Sequence, residues 1–586
     1  MYRTMRDVLV GCTFALAQVA GVAPLNSAPN ISDICVVDGL KYGTIQSAIS
    51  QCSERGAVVI PPTYAGTDRY HSPNKIPVWD FRRRERVQGL TPVTDFGARG
   101  DALREADGAS QSGSAVFTSA SASFVSSRDQ GKAIVITGAG DDNASLTTTI
   151  SAVNTPTQIT LAVTAGFTAT GLTYWYGTEN TSALQAAYES GKPLFLPPGK
   201  YLMTDTVKGA TPLFLTGSGQ QSTIIDDQTV FEVRGSVGHF LDNFRMEAAT
   251  KLTALPPSSF PTPHAGTPVA VDRIGAGIGY QPELQDLDIW AKVSKAQRAQ
   301  QIGPSLILSA DGTHIYRITG NLVSILLFDV QFSEVALCDF RAGKNFAGGI
   351  VFWHTPNDGR VNRQDRIHDN SVRYPSYSGI VWTASQRVSV IHNQTEYGGE
   401  TGLKNYATQG DGTYNNYAEV VANTSRHNHY DGLDLSENYP HTNTQRASSV
   451  VSGNTSCCND RTGAYVDGLG WTLVDNVFEN NGLSGISADV SDSVISRNTL
   501  RNNNSLHQPN AHQILLSPGI PSKNNVIEHN RIVGAATAGA AMKWSQASTG
   551  NKITDNRAKG GAVFNFGSPP AESRSNSDSR GPYPDR

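Results

Sequence analysis

The chain has 586 residues, a length that calls for either several compact domains or one repeated unit. Apolar residues make up 38%, enough for a core, whereas 56 glycines and a charged fraction of only 17% are typical of turns and short strands rather than of long helices. The net charge of −4 is the wrong sign for a phosphate-binding surface, so no nucleic-acid partner is expected.

The N-terminus has the pattern of a secretory signal peptide. Two arginines precede an apolar stretch from Val8 to about Leu25, and small residues close the segment by Ala28, so we assign residues 1–28 to this signal. No other segment reaches the 18 apolar residues of a membrane span. We therefore expect a secreted or periplasmic protein, and in an oxidising compartment Cys35 and Cys52 could pair.

Two segments that follow share one pattern. Residues 43–64 and 180–201 each begin with Thr or Asn-Thr as an N-cap, continue as a short amphipathic helix, and end in an apolar strand followed by Pro-Pro and Tyr. The run VTDFGARGD, at 93–101, precedes the second copy, and the Thr- and Ser-rich residues 102–176 lie between them. We interpret residues 29–92 as a partial cap unit and 93–200 as a cap that carries an inserted small β-module at 102–176.

The series VTDFGARGD, an Asn-Thr helix and a strand that ends in PPGKY resembles the N-terminal cap of the pectin-lyase-like right-handed parallel β-helix superfamily. That superfamily includes the polygalacturonase-like hydrolases of glycoside hydrolase family 28, polysaccharide lyases, alginate epimerases and phage tailspikes. The resemblance, closest to the exported proteins related to family 28, implies an all-β solenoid that acts on a polysaccharide.

From about residue 345 an asparagine recurs after a short β-branched stretch. Its positions are Asn370, Asn393, Asn423, Asn454, Asn476, Asn498, Asn530 and Asn556. The shortest gaps are 22 residues, which predicts a coil of strands with loops inserted at its corners and a structural asparagine ladder inside the turns. We expect the parallel β-helix over residues 201–567 and a disordered polar tail at 568–586.

A second series, out of phase with the asparagines, predicts which side chains face inward. It consists of Ile350, Ile380, Leu403, Leu433, Ala464, Ile486 and Ile514. Because side chains alternate along a strand, the residues that follow these face outward. Successive rungs then carry Lys404, Asp434, Tyr465 and Ser487 in one outer column, and Tyr406, Ser436, Asp467 and Asp489 in the next.

Carboxylates, tyrosines and a lysine thus converge within four rungs, and we predict Asp434, Asp467 and Asp489 as catalytic residues. From the strand and rung spacings, Asp434 and Asp467 should lie roughly 8 Å apart and Asp467 and Asp489 about 5 Å apart. Repulsion within the closer pair would keep one carboxyl protonated as a general acid. The wider pair leaves room for a water molecule, as in an inverting glycosidase.

The residues around this cluster are predicted to bind substrate, and no metal or cofactor is expected because no ligand pattern for one is present. The predicted binding residues are Lys404, Tyr406, Ser436, Tyr465, Trp353, Glu400 and His429.

Two other functions remain open. Tyr430-DGLDLSE-437 resembles the YGFDPH motif of alginate epimerases, with Ser436 in place of the histidine. A lyase or epimerase would use Lys404 to hold a uronate carboxylate and Tyr406 as the base. A non-catalytic glycan-binding protein, similar to a tailspike or an adhesin, is the second alternative. The oligomeric state is open, with a trimer among the alternatives.

Overall fold

A computed structural model describes residues 34–36, 44–51, 57–60, 78–80 and 90–582, with gaps in the last range at 212, 227–229, 235–239, 249–268, 273–282, 292–305, 309–311, 329, 343–347, 354–361, 407–416, 437–447, 517–521, 535–539, 545–547, 561–563, 567–569 and 579–580. The predicted signal peptide and Cys52 lie outside the described residues. The chain divides into two units. One comprises Met1–Phe240, Ala248–Ala270 and Lys292–Gly303, and the other Leu241–Glu247, Val271–Ala291 and Pro304–Arg586.

The first unit begins with a three-stranded parallel sheet and contains both predicted cap helices. The sheet consists of Ile34–Val36, Ala57–Ile60 and Val78–Asp80, and the helices are Ile45–Gln51 and Thr181–Glu189. Around the second helix lie strand Thr91–Pro92, the 3-10 turn Val93–Phe96, and strands Leu194–Phe195, Gly199–Met203, Val207–Gly209, Phe214–Asp226 and Phe231–Arg234.

The run VTDFGARGD packs directly against the strand that ends the second segment. A Cβ added to Gly100 would lie 2.7 Å from the Cα of Gly199, so both positions require glycine. The buried side-chain amide of Asn180 links the same two stretches, because it donates to the Arg99 carbonyl at 3.1 Å and to the Leu202 carbonyl at 3.2 Å. These contacts bring the two distant stretches of the cap series together in the fold.

The predicted inserted module is a closed antiparallel barrel. Its strands are Leu103–Ser110, Val116–Thr118, Ala133–Ile136, Leu146–Thr155, Gln158–Leu161 and Ala169–Gly177, with a short helix at Ser126–Asp129 and a 3-10 turn at Asp141–Asn143. The barrel has its own core, in which Phe117 and Tyr174 meet edge to face at 4.9 Å. Trp175 faces the other way and is buried with Leu202 and Ile225.

The second unit is the right-handed parallel β-helix that the sequence predicted. One sheet, here called the site sheet, contains Leu306–Leu308, Ile325–Phe328, Gly348–Trp353, Ser378–Thr383, Leu403–Tyr406, Leu433–Ser436, Ala464–Leu469, Ile486–Ser491, Ile514–Leu516, Met542–Trp544 and Phe564–Phe566.

Two further strands complete most turns of this coil. They are Glu283–Gln285, Asp288–Ala291, His314–Tyr316, Thr319–Val323, Glu334–Ala336, Asp339–Ala342, Arg366–His368, Ser371–Arg373, Ser389–Ile391, Gln394–Glu396, Glu419–Val421, Thr424–Arg426, Val450–Ser452, Thr455–Cys457, Thr472–Val474, Val477–Glu479, Val494–Ser496, Thr499–Arg501, Val526–Glu528, Arg531–Val533, Lys552–Thr554, Arg557–Lys559, Glu572–Arg574 and Ser577–Asp578. The remaining strands are Phe240–Ala248, Val269–Asp272, Asn362–Arg363, Ser385–Gln386 and Gly581–Pro582.

The predicted register of the site sheet is confirmed. Leu433 pairs with Ala464, and Ala464 with Ile486, so that the inward series lies in one column. All seven predicted inward residues are fully buried. Because a slip of one residue would turn every side chain to the opposite face, this register determines which residues can form an outer surface.

The asparagine ladder is confirmed as well. The Asn454 amide donates to Oδ1 of Asn476 at 2.9 Å and to the Val420 carbonyl at 2.8 Å, and the pattern repeats from Asn370 onwards. A second ladder, which the sequence analysis missed, links Asn428, Asn459, Asn481 and Asn503 in the same way.

The structure differs from the prediction of a disordered tail at 568–586, since strands Glu572–Arg574 and Ser577–Asp578 continue the coil. Asn576 extends the ladder by accepting from the Asn556 amide at 3.0 Å, and Asp578 accepts from the Phe564 backbone N–H at 2.9 Å. Buried polar contacts therefore stabilise this last turn, so the low apolar content of the segment was not a sound basis for predicting disorder.

Candidate active site

The register of the site sheet brings most of the predicted site residues onto neighbouring rungs. Lys404 pairs with Asp434, which pairs with Tyr465. In the adjacent column, Asp467 pairs with Asp489. Cross-strand partners in a sheet lie about 4.8 Å apart, so these side chains share one small area of the outer face.

Lys404 lies between two carboxylates. Its Nζ is 3.4 Å from Oδ2 of Asp434 and 4.0 Å from Oε2 of Glu400. Glu400 comes from the turn that leads into the Lys404 strand, whereas Asp434 comes from the next rung, so the coil itself supplies the pairing. The three side chains form the centre of the candidate site.

Glu400 and Asp434 differ in their surroundings. Glu400 is only 8% exposed, and burial, together with the charge of Asp434, raises the pKa of its carboxyl, an effect that Lys404 partly offsets. Asp434 is more accessible, because 18% of its side chain is exposed against 11% of the Glu400 side chain. Two carboxyl groups in unlike environments are the arrangement from which acid and base roles arise.

Asp431 is a site residue that the sequence analysis did not identify. It is buried, and burial raises the pKa of its carboxyl to about 6, although the Arg461 charge lowers that pKa and Asp434 raises it further. Its Oδ1 accepts from the Thr462 backbone N–H at 2.8 Å. In the sequence, Asp431 precedes the glycine of the run DGLD, whereas strand alternation predicts the direction only of the residues that follow this glycine.

Asp467 does not lie exposed as expected for a residue of the outer column. It is 2% exposed, and its backbone carbonyl accepts from the indole of the buried Trp471 at 2.8 Å. Asp489 is partly exposed, and the Tyr465 hydroxyl donates to its Oδ2 at 3.4 Å. Of the two stacked carboxylates, Asp489 is therefore the one that a ligand can contact more directly.

The other predicted binding residues are placed less centrally. Tyr406 and Ser436 lie in the second outer column by their backbone pairing, but their side chains are outside the described part of the chain. Trp353 is partly exposed on an earlier rung of the site sheet. His429 is mostly exposed and pairs with Asp460 through Nδ1 at 2.9 Å, so it contacts a corner rather than the carboxylates.

The described residues contain no group of three or more histidine, cysteine, aspartate or glutamate side chains arranged to hold a metal ion. Within the same part of the chain, no helix has the length and apolar character needed to cross a membrane. The adjacent Cys457 and Cys458 form a disulfide bond, and Cys338 is a free, buried thiol.

No protein-family model and no curated protein matches the sequence. Solved structures do match. A Siphovirus 9NA tailspike receptor binding domain is 15% identical, with a TM-score of 0.44 over 67% of this chain and 74% of the other. The A-module of the Azotobacter vinelandii mannuronan C-5 epimerase AlgE6 is 14% identical, with a TM-score of 0.39 over 69% and 96%. The catalytic unit of a Streptomyces thermodiastaticus GH87 alpha-1,3-glucanase is 11% identical, with a TM-score of 0.39 over 83% and 88%.

At these identities a likeness concerns the fold alone. The coil and the register described above are observations on this chain, and they agree with the resemblance to pectin-lyase-like proteins that its sequence showed. The chain has a right-handed parallel β-helix fold, as its sequence predicted.

Proposed function

We propose that this protein is an exported glycoside hydrolase that degrades a polysaccharide on the outer face of the site sheet. The observation that carries the proposal is the Glu400–Lys404–Asp434 group, in which a buried carboxyl with a raised pKa and a more exposed carboxylate share one lysine. The predicted catalytic residues Asp467 and Asp489 lie on the rungs beyond it.

In this mechanism Glu400 is the general acid. Its raised pKa keeps the proton available, and the proton passes to the glycosidic oxygen as the bond from that oxygen to the sugar carbon breaks. Asp434 takes a proton from a water molecule whose oxygen bonds to the same carbon. Lys404 stabilises the Asp434 carboxylate and keeps both carboxyl groups in place.

Asp489 and Tyr465 complete the binding surface. Asp489 is partly exposed and is oriented by the Tyr465 hydroxyl, so its carboxylate can accept hydrogen bonds from sugar hydroxyls. The ring of Tyr465 offers a flat apolar face to a sugar. Asp467 is buried, so it is less accessible to a sugar than the partly exposed Asp489.

The lyase or epimerase alternative assigns Lys404 a different task. There its cation would neutralise the carboxylate of a uronate, but in the structure the ammonium already lies 3.4 Å from the Asp434 carboxylate, with Glu400 on its other side. This observation favours hydrolysis, because a uronate would have to compete with the Asp434 carboxylate for the same cation.

The test is to incubate the purified protein with a panel of neutral and acidic polysaccharides. Hydrolysis predicts new reducing ends without ultraviolet absorbance at the wavelength of unsaturated sugars. Unsaturated products would establish the lyase instead, and an inverted uronate composition without chain cleavage would establish the epimerase. Tight binding of a glycan that remains intact would identify a tailspike-like or adhesin-like protein.

Export is part of the same proposal, because a polysaccharide substrate lies outside the cell. It predicts a mature N-terminus between about Ala20 and Ala28 and a disulfide between Cys35 and Cys52. Intact and non-reducing peptide mass spectrometry of secreted protein measures both. A retained Met1, or free thiols at these two cysteines, would contradict the proposal of export.

A further inference from the structure

The first outer column of the site sheet extends from the candidate active site in both directions along the coil. On the rungs before Lys404 it carries, in order, Leu326, Val351 and Val381. Each of these three residues follows an inward-facing isoleucine, so the register turns its side chain outward in the same way as that of Lys404. On an uncovered sheet such side chains would be in contact with solvent.

The outward side chains on these earlier rungs are nevertheless buried. Leu326, Val351 and Val381 are each no more than 4% exposed. In the second column Thr383, on the rung of Val381, is fully buried. Other parts of the chain therefore lie over the outer face as far as the rung of Val381, which is the rung directly before Lys404.

Trp353 is partly exposed, but it lies beyond this covered rung. In the second column Thr383 stands between Trp353 and Tyr406. Because Thr383 is fully buried, a ligand at Lys404 does not reach Trp353 along this face. The sequence predicted Trp353 as a binding residue, and the covered rung separates it from the candidate active site.

On the other side of the candidate active site the first column is open. The rungs after Asp434 carry, in order, Tyr465, Ser487, Leu515, Lys543 and Asn565. Ser487 is buried, but Tyr465, Leu515 and Lys543 are partly exposed and Asn565 is exposed. Five rung steps of about 4.8 Å make this open stretch about 24 Å long, whereas the covered face begins about 4.8 Å from Lys404.

We propose that a glycan lies along this open stretch with one of its ends at the Lys404 group, so that the enzyme removes short pieces from a chain end. The bond to be cleaved lies between Glu400 and Asp434, and the covered face leaves room for few sugars on its near side. The stretch from Tyr465 to Asn565 receives the rest of the chain. This inference rests on the proposed hydrolysis and adds its mode, which is exo-acting.

The length of the first products tests this mode. The wild-type protein would be incubated with oligosaccharides of polygalacturonate, alginate and dextran that are long enough to extend beyond Asn565 and are labelled at the reducing end. Removal from a chain end predicts, at low conversion, one short product and a remainder shortened by the same amount. Products of every length from the first time point would overturn the inference and leave the hydrolase proposal intact.

Binding without turnover separates the inference from catalysis. The full chain with Asp434→Asn would be titrated with the same oligosaccharides, which carry a biotin–streptavidin cap at the reducing end, at the non-reducing end or at neither. Since a bulky cap does not fit under the covered face, one of the two caps should abolish binding and the other should have no effect.

A substitution on the open stretch gives a second measurement. Leu515→Asp, with its thermal unfolding measured to verify that it folds, should weaken binding of the uncapped oligosaccharide about 10-fold or more, because the glycan would cover a charged group. The matched control is Val533→Asp, at a partly exposed apolar position of another sheet, which should bind as the parent does.

Three results would overturn the inference: equal binding of both capped forms, unchanged binding by the Leu515 variant, or no binding of any uncapped oligosaccharide. If the protein cleaves none of the oligosaccharides and yet one cap abolishes binding, the site for a chain end stands and the hydrolase proposal fails.

Discussion

Glu400 is subject to two opposing electrostatic effects. Burial and the nearby Asp434 carboxylate disfavour its ionised form, whereas Lys404 favours it, and the first two prevail, so its pKa is raised. A carboxyl whose folded pKa exceeds its unfolded pKa stabilises the fold fully below the unfolded pKa, and this contribution is lost as the pH rises through the folded pKa. Glu400 therefore makes the folded state less stable above its folded pKa than below its unfolded pKa.

The first prediction concerns this residue. Glu400→Gln should raise the midpoint of chemical unfolding at pH 8, because it removes a buried charge that is disfavoured there, and should change it much less at pH 4. The same variant should lose activity about 10²- to 10⁴-fold, as expected for a lost general acid. Urea unfolding at both pH values measures the first part. A variant that is less stable at pH 8 than the wild type would show that Glu400 is held mainly as an ion-pair partner.

A second residue-scale prediction concerns Lys404. Since its charge lowers the Glu400 pKa, Lys404→Gln should raise that pKa and move the alkaline limb of the pH–rate profile to higher pH. A simple fall in rate with an unmoved limb would mean that Lys404 only binds substrate. Lys559→Gln serves as the charge-matched control, with no expected shift.

At the scale of elements, the asparagine ladder holds the coil. Asn454 accepts from both the backbone and the side chain of Asn423 at 2.9 Å, and its amide donates to Asn476 and to the Val420 carbonyl. Every one of these groups is buried, so the loss of one asparagine leaves several polar atoms unsatisfied.

The third prediction is that Asn454→Ala destabilises the protein by about 3 kcal/mol, because each unsatisfied buried group costs about 1–3 kcal/mol. Asn565→Ala, at an exposed position of the site sheet, should change stability little. Urea titration followed by circular dichroism compares the two. Equal stabilities would mean that apolar packing, rather than the ladder, holds the turns.

The inserted barrel is a separable element by its geometry. Its first and last strands pair side by side, and Gly177 lies so near Ala102 that a Cβ on the glycine would be 2.7 Å from the alanine Cα.

The fourth prediction is that excision of residues 103–176, with Ala102 joined to Gly177, leaves a soluble chain with the β-rich circular dichroism of the coil. It should be somewhat less stable, because Leu202 and Ile225 lose their cover by Trp175. Aggregation of the shortened chain would contradict this.

For the whole molecule, the sequence predicted the structural features that follow from a periodic pattern of residues. Alternation gave the inward and outward columns, and recurrence of asparagine gave the turns, because both follow from the repeat of the strand and of the coil. The features that the sequence did not predict depend on individual side-chain contacts, which follow no periodic pattern. Glu400 was predicted as a binding residue, without the acid role proposed for it here, and Asp431 precedes its strand, where burial is decided by the neighbouring turn.

The geometry of the coil also explains how residues that are far apart in the sequence form one site. Each turn contributes one rung, so residues about 30 positions apart, such as Lys404 and Asp434, become neighbours on a rigid sheet. Apolar Val351 and Val381 occupy the same column before them and are buried, which limits the polar part of the face to the rungs from Lys404 onwards.

We propose that the group around Lys404 performs hydrolysis, and one substitution tests this directly. Asp434→Asn keeps the size of the side chain and removes its charge, so the fold should survive. With a polysaccharide from which the wild type releases reducing ends, this variant should release them about 10²- to 10⁴-fold more slowly. Asp475→Asn, at an exposed corner where Asp475 pairs with Arg497, should retain the wild-type rate. An Asp434→Asn variant as fast as the wild type would show that this face is not the active site.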